Sequence, residues 1–404
     1  MDLALQEPIE TALSPAASPA RRRYWRSEKI WFDGDAFFAA MLRDIERART
    51  TIDLQTYIFQ DDLLGQRVTD ALRAAAARGV VVRMLVDGAG AGAWCAKRAR
   101  ELIGDRLSIR IYHPLPWLLF SRIHNGRSGA LRLFRMLMQI NRRTHRKLCL
   151  IDQRAAWVGS FNCSSLHCRE YSCDEHWRDT GARVEGGAIG ELYQSFNWVW
   201  RRSWRLSAQQ MRPPVIWPGV LKREDSGLVR LNDTLRQRRK VFRDLVERIA
   251  GAKRRVWVTA AYFVPNHKLV AALGQAARNG IDVRMLMPTK CDVVFMPWVS
   301  AAFYLALLKQ GVRIYEYQPR VLHAKTVQID DWLTVGSTNL NYRSLLHDLE
   351  ADIVMLHPRT HKAFERAYLD DLAQSKEITI DDWKRRPWLQ KWLGRIALRI
   401  RYWL

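Results

Sequence analysis

The chain is short of acidic residues: its 404 positions hold 41 Asp and Glu against 65 Lys and Arg, which gives a formal net charge of +24 at pH 7. Such a charge favours an anionic partner, either a nucleic acid or an anionic membrane surface. A long apolar run is also lacking, because the longest uncharged one, 293–308, is shorter than the roughly 20 residues that span a bilayer. We therefore expect this run to form a buried helix.

The first 20 residues lack both a basic start and an apolar stretch, so they do not resemble a secretory signal peptide. We expect a disordered tail over 1–27. Cysteine is sparse as well: there are six, and without an export signal we expect reduced thiols. Zinc at Cys168, Cys173 and His176 is the weaker alternative, since their spacing matches no common zinc motif. We expect no metal.

Two stretches, 145–162 and 323–339, share the pattern His-x-Lys-x4-Asp followed by Gly-Ser-x-Asn. The apolar-rich residues after each lysine predict a short buried strand, on which His and Lys point to one face. An imidazole, an ammonium, a hydroxyl and an amide together suit a tetrahedral phosphate, because they offer positive charge, hydrogen-bond donors and a group that can attack or transfer a proton. The candidates are His145, Lys147, Ser160 and Asn162 in the first copy and His323, Lys325, Ser337 and Asn339 in the second.

These copies resemble the duplicated HKD motifs of the phospholipase D superfamily. The first copy, with WVGSFN and the later WRDTGARVEG, resembles the bacterial cardiolipin synthases in particular, of the short, peripheral type. The resemblance implies that His145 attacks phosphorus to form a phosphohistidine, while His323 protonates the leaving alcohol and then deprotonates the acceptor. It also implies that no metal or other cofactor is needed.

Four acidic residues complete the predicted site. Each histidine needs an acid on its far ring nitrogen to fix its tautomer and orientation, and the matching candidates are Asp179 and Glu350. Asp152 and Asp330 belong to the HKD motifs and are included with the catalytic residues. For these two, structural hydrogen bonds at the strand ends are nevertheless the interpretation that we favour over phosphate contact.

The chain repeats itself beyond the motifs. Each half alternates helical stripes with buried strands, and RIY recurs at 110–112 and 313–315. This alternation predicts an α/β fold, with a mixed, largely parallel sheet flanked by helices in each half. The resemblance implies two phospholipase-D-like sandwich halves in a pseudo-two-fold arrangement, with both histidines in one cleft. We place the halves at 28–205 and 231–378, joined by a linker at 206–230.

Two segments suggest contact with lipid. The first half carries about 25 extra residues near 115–141, which are apolar and basic with no acid. They suggest a lipid-engaging lip, with a helical lid packed on the core as the alternative. The C-terminal 379–404 is rich in Trp, Lys and Arg and predicts a basic amphipathic helix. Such a helix suits anionic headgroups, and docking on the protein body is the alternative.

Together these features favour an enzyme, a phosphatidyltransferase that makes cardiolipin from phosphatidylglycerol and a second phospholipid. A phospholipase D hydrolase shares every catalytic residue and stays open, because the sequence does not show whether water is excluded. A phosphodiesterase or nuclease fits the charge, but exposed apolar segments do not suit DNA, and no nucleic-acid-binding module is recognised. We expect an anionic membrane and no nucleic acid as partner, at the cytoplasmic side of the inner membrane, bound peripherally.

Overall fold

The structure is a computed structural model that describes residues 24–115, 142–206 and 226–397. Most of the predicted tail, insertion and linker lies outside these ranges, and so do residues 398–404. The fold of the remainder can be followed strand by strand.

The first half begins with an edge strand and ends with a long helix and a short strand. Its elements are β1 (Ser27–Trp31), α1 (Gly34–Glu46), β2 (Thr51–Thr56), α2 (Leu63–Ala77), β3 (Val81–Asp87), α3 (Gly92–Lys97), β4 (Leu107–Tyr112), β5 (Leu148–Ile151), β6 (Ala155–Gly159), α4 (Arg169–Ser172), β7 (Gly181–Glu185), α5 (Ile189–Arg202) and β8 (Trp204–Arg205). A 3₁₀ turn, Ser165–His167, precedes α4.

The second half repeats this order with local additions. Its elements are β9 (Val229–Leu231), α6 (Leu235–Ala250), β10 (Arg255–Ala260), β11 (Phe263–Val264), α7 (His267–Arg278), β12 (Asp282–Pro288), α8 (Met296–Ala301), α9 (Tyr304–Leu308), β13 (Arg313–Tyr317), β14 (Lys325–Ile329), β15 (Trp332–Gly336), β16 (Leu340–Asn341), α10 (Tyr342–Leu346), β17 (Ala351–Met355), α11 (Pro358–Ala373), β18 (Ser375–Ile378), α12 (Ile380–Arg385) and α13 (Trp388–Ala397).

Two eight-stranded sheets confirm the duplicated α/β architecture. The first runs β1-β7-β6-β5-β2-β3-β4-β8, and the second runs β9-β17-β15-β14-β10-β12-β13-β18. The two orders correspond strand for strand, so β5 and β14, the motif strands, hold the same central place in their sheets. Each sheet is mixed, as predicted.

Parallel pairing is less extensive than the strand and helix alternation predicts. It joins β2 to β3 and β3 to β4 in the first sheet, and β10 to β12 and β12 to β13 in the second. The motif strand of each sheet instead pairs antiparallel on both sides. For the pairings with β6 and β15 the reason is local: a tight turn follows each motif strand and returns the chain directly as a hairpin, which leaves no room for a crossover helix.

The acids of the two HKD motifs form those turns. Asp152 and Asp330 have φ values of 51° and 50°, a left-handed conformation that Asp tolerates better than most residues. The Asp152 carboxylate accepts hydrogen bonds from the amides of Arg49, Thr50 and Thr51, and Asp330 accepts from the equivalent amides at 253–255. Their inclusion among the catalytic residues is therefore corrected: each fastens the far end of a motif strand, roughly 20 Å along the chain from its histidine.

The two sheets pack face to face. Successive side chains along each strand point to opposite faces of its sheet, so one face of each sheet can meet the other sheet. Leu148, Leu150 and Val158 share one core with Val335 and Ile353 of the second sheet. The intervening residues of β5 and β6, such as Cys149 and Trp157, point the other way into a core covered by α1 and α2. The motif strands are thus buried on both faces, and their N-terminal ends lie where the sheets meet.

The uncharged run at 293–308 does not form one buried helix. It breaks into α8 and α9, and the residues before α8 are exposed, with Val294 at 76% and Phe295 at 43%. The predicted C-terminal helix is also divided, into α12 and α13, with Pro387 between them. In the chain as described, no helix combines the length and apolar composition needed to cross a bilayer.

Candidate active site

Two reciprocal backbone contacts bring the motifs of the halves together. Thr144 pairs with Leu349 as an isolated parallel bridge, and Arg178 pairs with Leu322 in the same way. In each contact, the segment before one half's motif histidine lies beside the segment before the other half's candidate acid. The chain around each histidine is therefore fixed by the opposite half, as the pseudo-two-fold hypothesis requires.

The candidate acids hold the histidines across this interface. His145 Nδ1 lies 3.1 Å from both carboxylate oxygens of Glu350, which belongs to the second half. His323 Nδ1 lies 2.9 Å from Asp179 Oδ1, which belongs to the first half. Each imidazole is buried and engaged through Nδ1, which leaves its Nε2 as the nitrogen for chemistry.

Both histidines line one cleft of about 300 Å³. Asn162 and Asn339 of the two Gly-Ser-x-Asn motifs line it as well, and the Asn339 Oδ1 atom is buried without a hydrogen-bond partner among the described residues. A buried amide in that position is available to a bound ligand, because unpaired buried polar atoms are rare in folded proteins. The cleft thus offers two imidazoles and two amides to one small group.

The motif serines do not line the cleft. The Ser160 hydroxyl exchanges hydrogen bonds with the Thr180 backbone, and the Ser337 hydroxyl donates to Glu350 and accepts from the Ala351 amide at 3.1 Å. Both side chains are fully buried. Their prediction as phosphate donors is corrected: they fix the strands and the acid that position the histidines.

The motif lysines are buried beside the motif histidines and do not line the cleft. Lys147 Nζ donates to the backbone oxygen of His145 at 2.6 Å, and Lys325 Nζ makes the same bond to His323. Burial lowers the pKa of Lys147 to about 7, and the neighbouring Lys325 adds to this effect. Burial lowers the pKa of Lys325 to about 8, against the opposing influence of Asp179 and Asp292. An anion in the cleft would stabilise both ammonium groups.

The two imidazole–acid pairs differ in protonation. Burial, with the charges of Lys147 and Lys325, lowers the pKa of His145 well below its ordinary value, and burial with Lys325 lowers that of His323 to about 4. Burial raises the pKa of Glu350 to about 7. Burial acts on Asp179 in the same direction, but His323 and His167 outweigh it and hold its pKa well below the ordinary value. Asp179 is therefore ionised at neutral pH, with both imidazoles neutral.

Several cleft residues escaped the sequence analysis. Tyr57 and Tyr262 line the cleft just after β2 and β10, but the strand register aligns Tyr262 with Ile58, so the repeat did not mark them as a pair. The Tyr57 ring lies 5.3 Å from that of His145, and the Tyr262 hydroxyl donates to Asp292 at 2.5 Å. His167 does not line the cleft but contacts the acid beneath His323, with its Nδ1 atom 2.7 Å from Asp179.

The cysteines take no part in this arrangement. All six are free thiols, and Cys168 is buried whereas Cys173 is exposed. Within the described ranges, no group of three or more His, Cys, Asp or Glu side chains is placed to hold a metal ion.

Comparison with known proteins agrees with the duplicated architecture. The family profile described as "Cardiolipin synthase, PLD-like domain" matches residues 41–200 and 245–372. The chain belongs to this phospholipase-D-like cardiolipin synthase family. Cardiolipin synthase A of Pseudomonas putida is 31% identical over 379 residues, covering 91% of this chain and 73% of the relative. Cardiolipin synthase B of Salmonella typhimurium is 32% identical over 365 residues, covering 87% and 80%.

The fold of this cardiolipin synthase family member is also found among solved structures. The crystal structure of phosphatidylserine synthase from Haemophilus influenzae superposes with a TM-score of 0.67 and covers 93% of each chain. At 12% identity this likeness concerns the fold alone.

The buried lysines predict a loss of activity at alkaline pH. Because their pKa values are about 7 and about 8, Lys147 and Lys325 lose their charge as pH rises from about 6 to about 9. Only the ammonium form attracts a phosphodiester, so kcat/KM, which reports the free enzyme, should decline across that range. Circular dichroism at each pH controls for unfolding, and a constant or rising kcat/KM up to pH of about 9.5 would contradict the assignment.

Proposed function

We propose that this protein is a phosphatidyltransferase that makes cardiolipin from phosphatidylglycerol and a second phospholipid. The observation that carries the proposal is the pair of imidazoles that face one cleft, each held through Nδ1 by an acid of the opposite half. Two such groups can divide the work of nucleophile and general acid–base. Membership of the cardiolipin synthase family and the relatives named above support lipid as the substrate class.

In the first step, His145 Nε2 attacks the phosphorus of phosphatidylglycerol. A P–N bond forms as the bond from phosphorus to the glycerol oxygen breaks. His323, protonated on Nε2 once the anionic substrate is bound, gives that proton to the departing alkoxide and is left as the neutral imidazole. Lys147 and Lys325 supply positive charge beneath the phosphoryl oxygens, while Asn162 and Asn339 donate from the cleft wall. Glycerol leaves, and the phosphatidyl group stays on His145.

The difference between the two pairs supports this division of roles. A nucleophile must be neutral, and burial together with the charges of Lys147 and Lys325 lowers the pKa of His145 well below its ordinary value. A general acid must accept and release a proton, and His323 faces an ionised carboxylate, Asp179, together with Asp292. An anionic substrate in the cleft raises the pKa of His323 from its lowered value of about 4, toward the range in which an imidazole transfers protons.

In the second step, the hydroxyl of a second lipid replaces glycerol. His323 removes its proton, the new P–O bond forms, and the P–N bond to His145 breaks. Water would yield phosphatidic acid instead, so transfer requires that the cleft restrict water. The low exposure of the histidines, 8% for His145 and 3% for His323, supports transfer over hydrolysis.

We further propose that the protein binds an anionic bilayer peripherally, through α13 and the loop before α8. Trp388, Trp392 and Ile396 recur every fourth residue on α13 and are 75%, 53% and 40% exposed, so they form one apolar stripe. Seven Lys and Arg lie between 381 and 404. The helix packs on α8 at Gly394, where a Cβ would lie 2.5 Å from the Trp298 oxygen.

This surface is close to the active cleft. Phe295 and Met296 line the cleft, and Met296 begins α8, on which α13 packs. An apolar stripe with surrounding basic residues suits the headgroup region of anionic lipid, which would place the cleft mouth at the bilayer surface. The cytoplasmic face of the inner membrane is the location that we propose, where free thiols persist.

The products formed from phosphatidylglycerol vesicles, without nucleotide or metal, test the proposed reaction. We expect mass spectrometry to detect cardiolipin and equimolar glycerol, and His145→Ala and His323→Ala each to abolish both. Phosphatidic acid as the only lipid product would identify a hydrolase. Intact phosphatidylglycerol together with cleavage of single-stranded DNA would favour a nuclease.

Vesicle sedimentation tests the proposed membrane surface. We expect the double variant Trp388→Ala/Trp392→Ala to bind phosphatidylglycerol vesicles at least about tenfold more weakly, because two interfacial aromatics are lost. Turnover of detergent-solubilised lipid should change little. Leu235→Ala, which removes a 66% exposed residue at the start of α6, is the matched control. Equal losses in both assays would show that the stripe serves folding instead.

A further inference from the structure

Asp179 holds two imidazoles rather than one. Its Oδ1 atom accepts from His323 Nδ1 at 2.9 Å, and its Oδ2 atom lies 2.7 Å from His167 Nδ1. All three side chains are buried, with exposures of 0% for Asp179, 1% for His167 and 3% for His323. The position of the Asp179 carboxylate is therefore determined from both sides.

The protonation of His167 follows from its second contact. The backbone amide of Asn162 donates to His167 Nε2 at 3.2 Å, so this nitrogen carries no proton. The Nδ1 atom is then the one that donates to Asp179. Both ring nitrogens are engaged, so His167 acts as a fixed donor to the carboxylate.

His167 also joins two parts of the active site. Asn162 lines the cleft, and its side-chain Oδ1 accepts from the Ile58 amide at 3.2 Å. Through the Asn162 amide and the Asp179 carboxylate, His167 connects the phosphate-binding wall to the partner of His323. Its ring is held in place by Phe161 and Trp177, at centroid distances of 5.8 and 5.3 Å.

In the second half, a different residue stands at the position that corresponds to His167 and donates to the acid. His167 is the fifth residue after Asn162, and Ser344 is the fifth residue after Asn339. The Ser344 hydroxyl donates to Glu350 Oε1 at 2.7 Å, so each acid receives a donor from the equivalent position. Glu350 also accepts from the Ser337 hydroxyl, whereas the described partners of the Asp179 carboxylate are the two imidazoles.

We propose that His167 is a positioning residue of the transfer reaction, which holds Asp179 so that His323 keeps Nε2 directed into the cleft as acid and base. This inference rests on the proposed function, in which His323 protonates the leaving alcohol. Loss of His167 should therefore impair the step in which a proton is transferred and should spare the attack of His145.

The choice of leaving group separates these steps. Glycerol leaves as an alkoxide that requires a proton, whereas p-nitrophenolate is a stable anion that leaves without one. We therefore compare the release of glycerol from phosphatidylglycerol with the first-turnover burst of p-nitrophenolate from the p-nitrophenyl ester of the same phosphatidic acid. Glycerol leaves before the acceptor reacts, so its release is a valid readout both when a lipid and when water accepts the phosphatidyl group.

For His167→Leu we expect kcat for glycerol release to fall about 10- to 100-fold, the usual effect of removing an orienting partner, with KM little changed. The p-nitrophenolate burst should stay within a few-fold of wild type. His167→Asn, whose side-chain amide can still donate to Asp179, should restore much of the glycerol release. Ser344→Ala is the matched variant at the other acid, and because it acts through His145 it should slow both substrates alike.

Thermal unfolding of each variant identifies those that fail to fold, and if His167→Leu is among them, His167→Ala takes its place in the comparison with His167→Asn. Equal losses of His167→Leu with both substrates, or no loss with either, would overturn the inference. If wild-type protein releases no glycerol but does release p-nitrophenolate, the proposed function fails. In that case single-stranded DNA, whose leaving group is also an alkoxide, replaces phosphatidylglycerol. The comparison of its cleavage with p-nitrophenolate release still tests His167.

Discussion

The site depends on hydrogen bonds that cross between the two halves. His145 of the first half is held by Glu350 of the second, and His323 of the second by Asp179 of the first. Neither half can orient its own histidine. Buried arginines beside these pairs also cross the interface: Arg146 donates to the Glu350 backbone oxygen, and Arg178 binds both oxygens of Asp371. Removing one partner of such a buried ion pair typically costs about 3–5 kcal/mol.

This constraint explains much of the remaining fold. The histidines precede β5 and β14, so the N-terminal ends of these strands must lie where the sheets meet. The turns at Asp152 and Asp330 fix their C-terminal ends. The shared core between the sheets keeps the halves in register. It also buries two lysines, and this burial is the main cause of their lowered pKa values.

The repeat and its motifs were predictable from the sequence, because duplicated patterns correspond to duplicated strands. The α/β class and the four residues His145, His323, Asp179 and Glu350 follow from that signal, although which acid holds which histidine does not. The contact of each histidine with an acid of the opposite half is a property of the tertiary structure. So is the direction of the two serine hydroxyls: that of Ser160 turns toward the backbone, and that of Ser337 turns toward a carboxylate. His167 was missed because its counterpart in the repeat is a serine, so no shared pattern marks it.

The most direct test of the account is to locate the covalent intermediate. Protein mixed with the p-nitrophenyl ester of phosphatidic acid is quenched during the first turnover, digested and mapped by mass spectrometry. The account predicts a phosphatidyl group on the peptide that carries His145, and its accumulation in His323→Ala, which cannot activate an acceptor alcohol. A phosphatidyl group on the His323 peptide, or a full p-nitrophenolate burst with neither peptide modified, would contradict it.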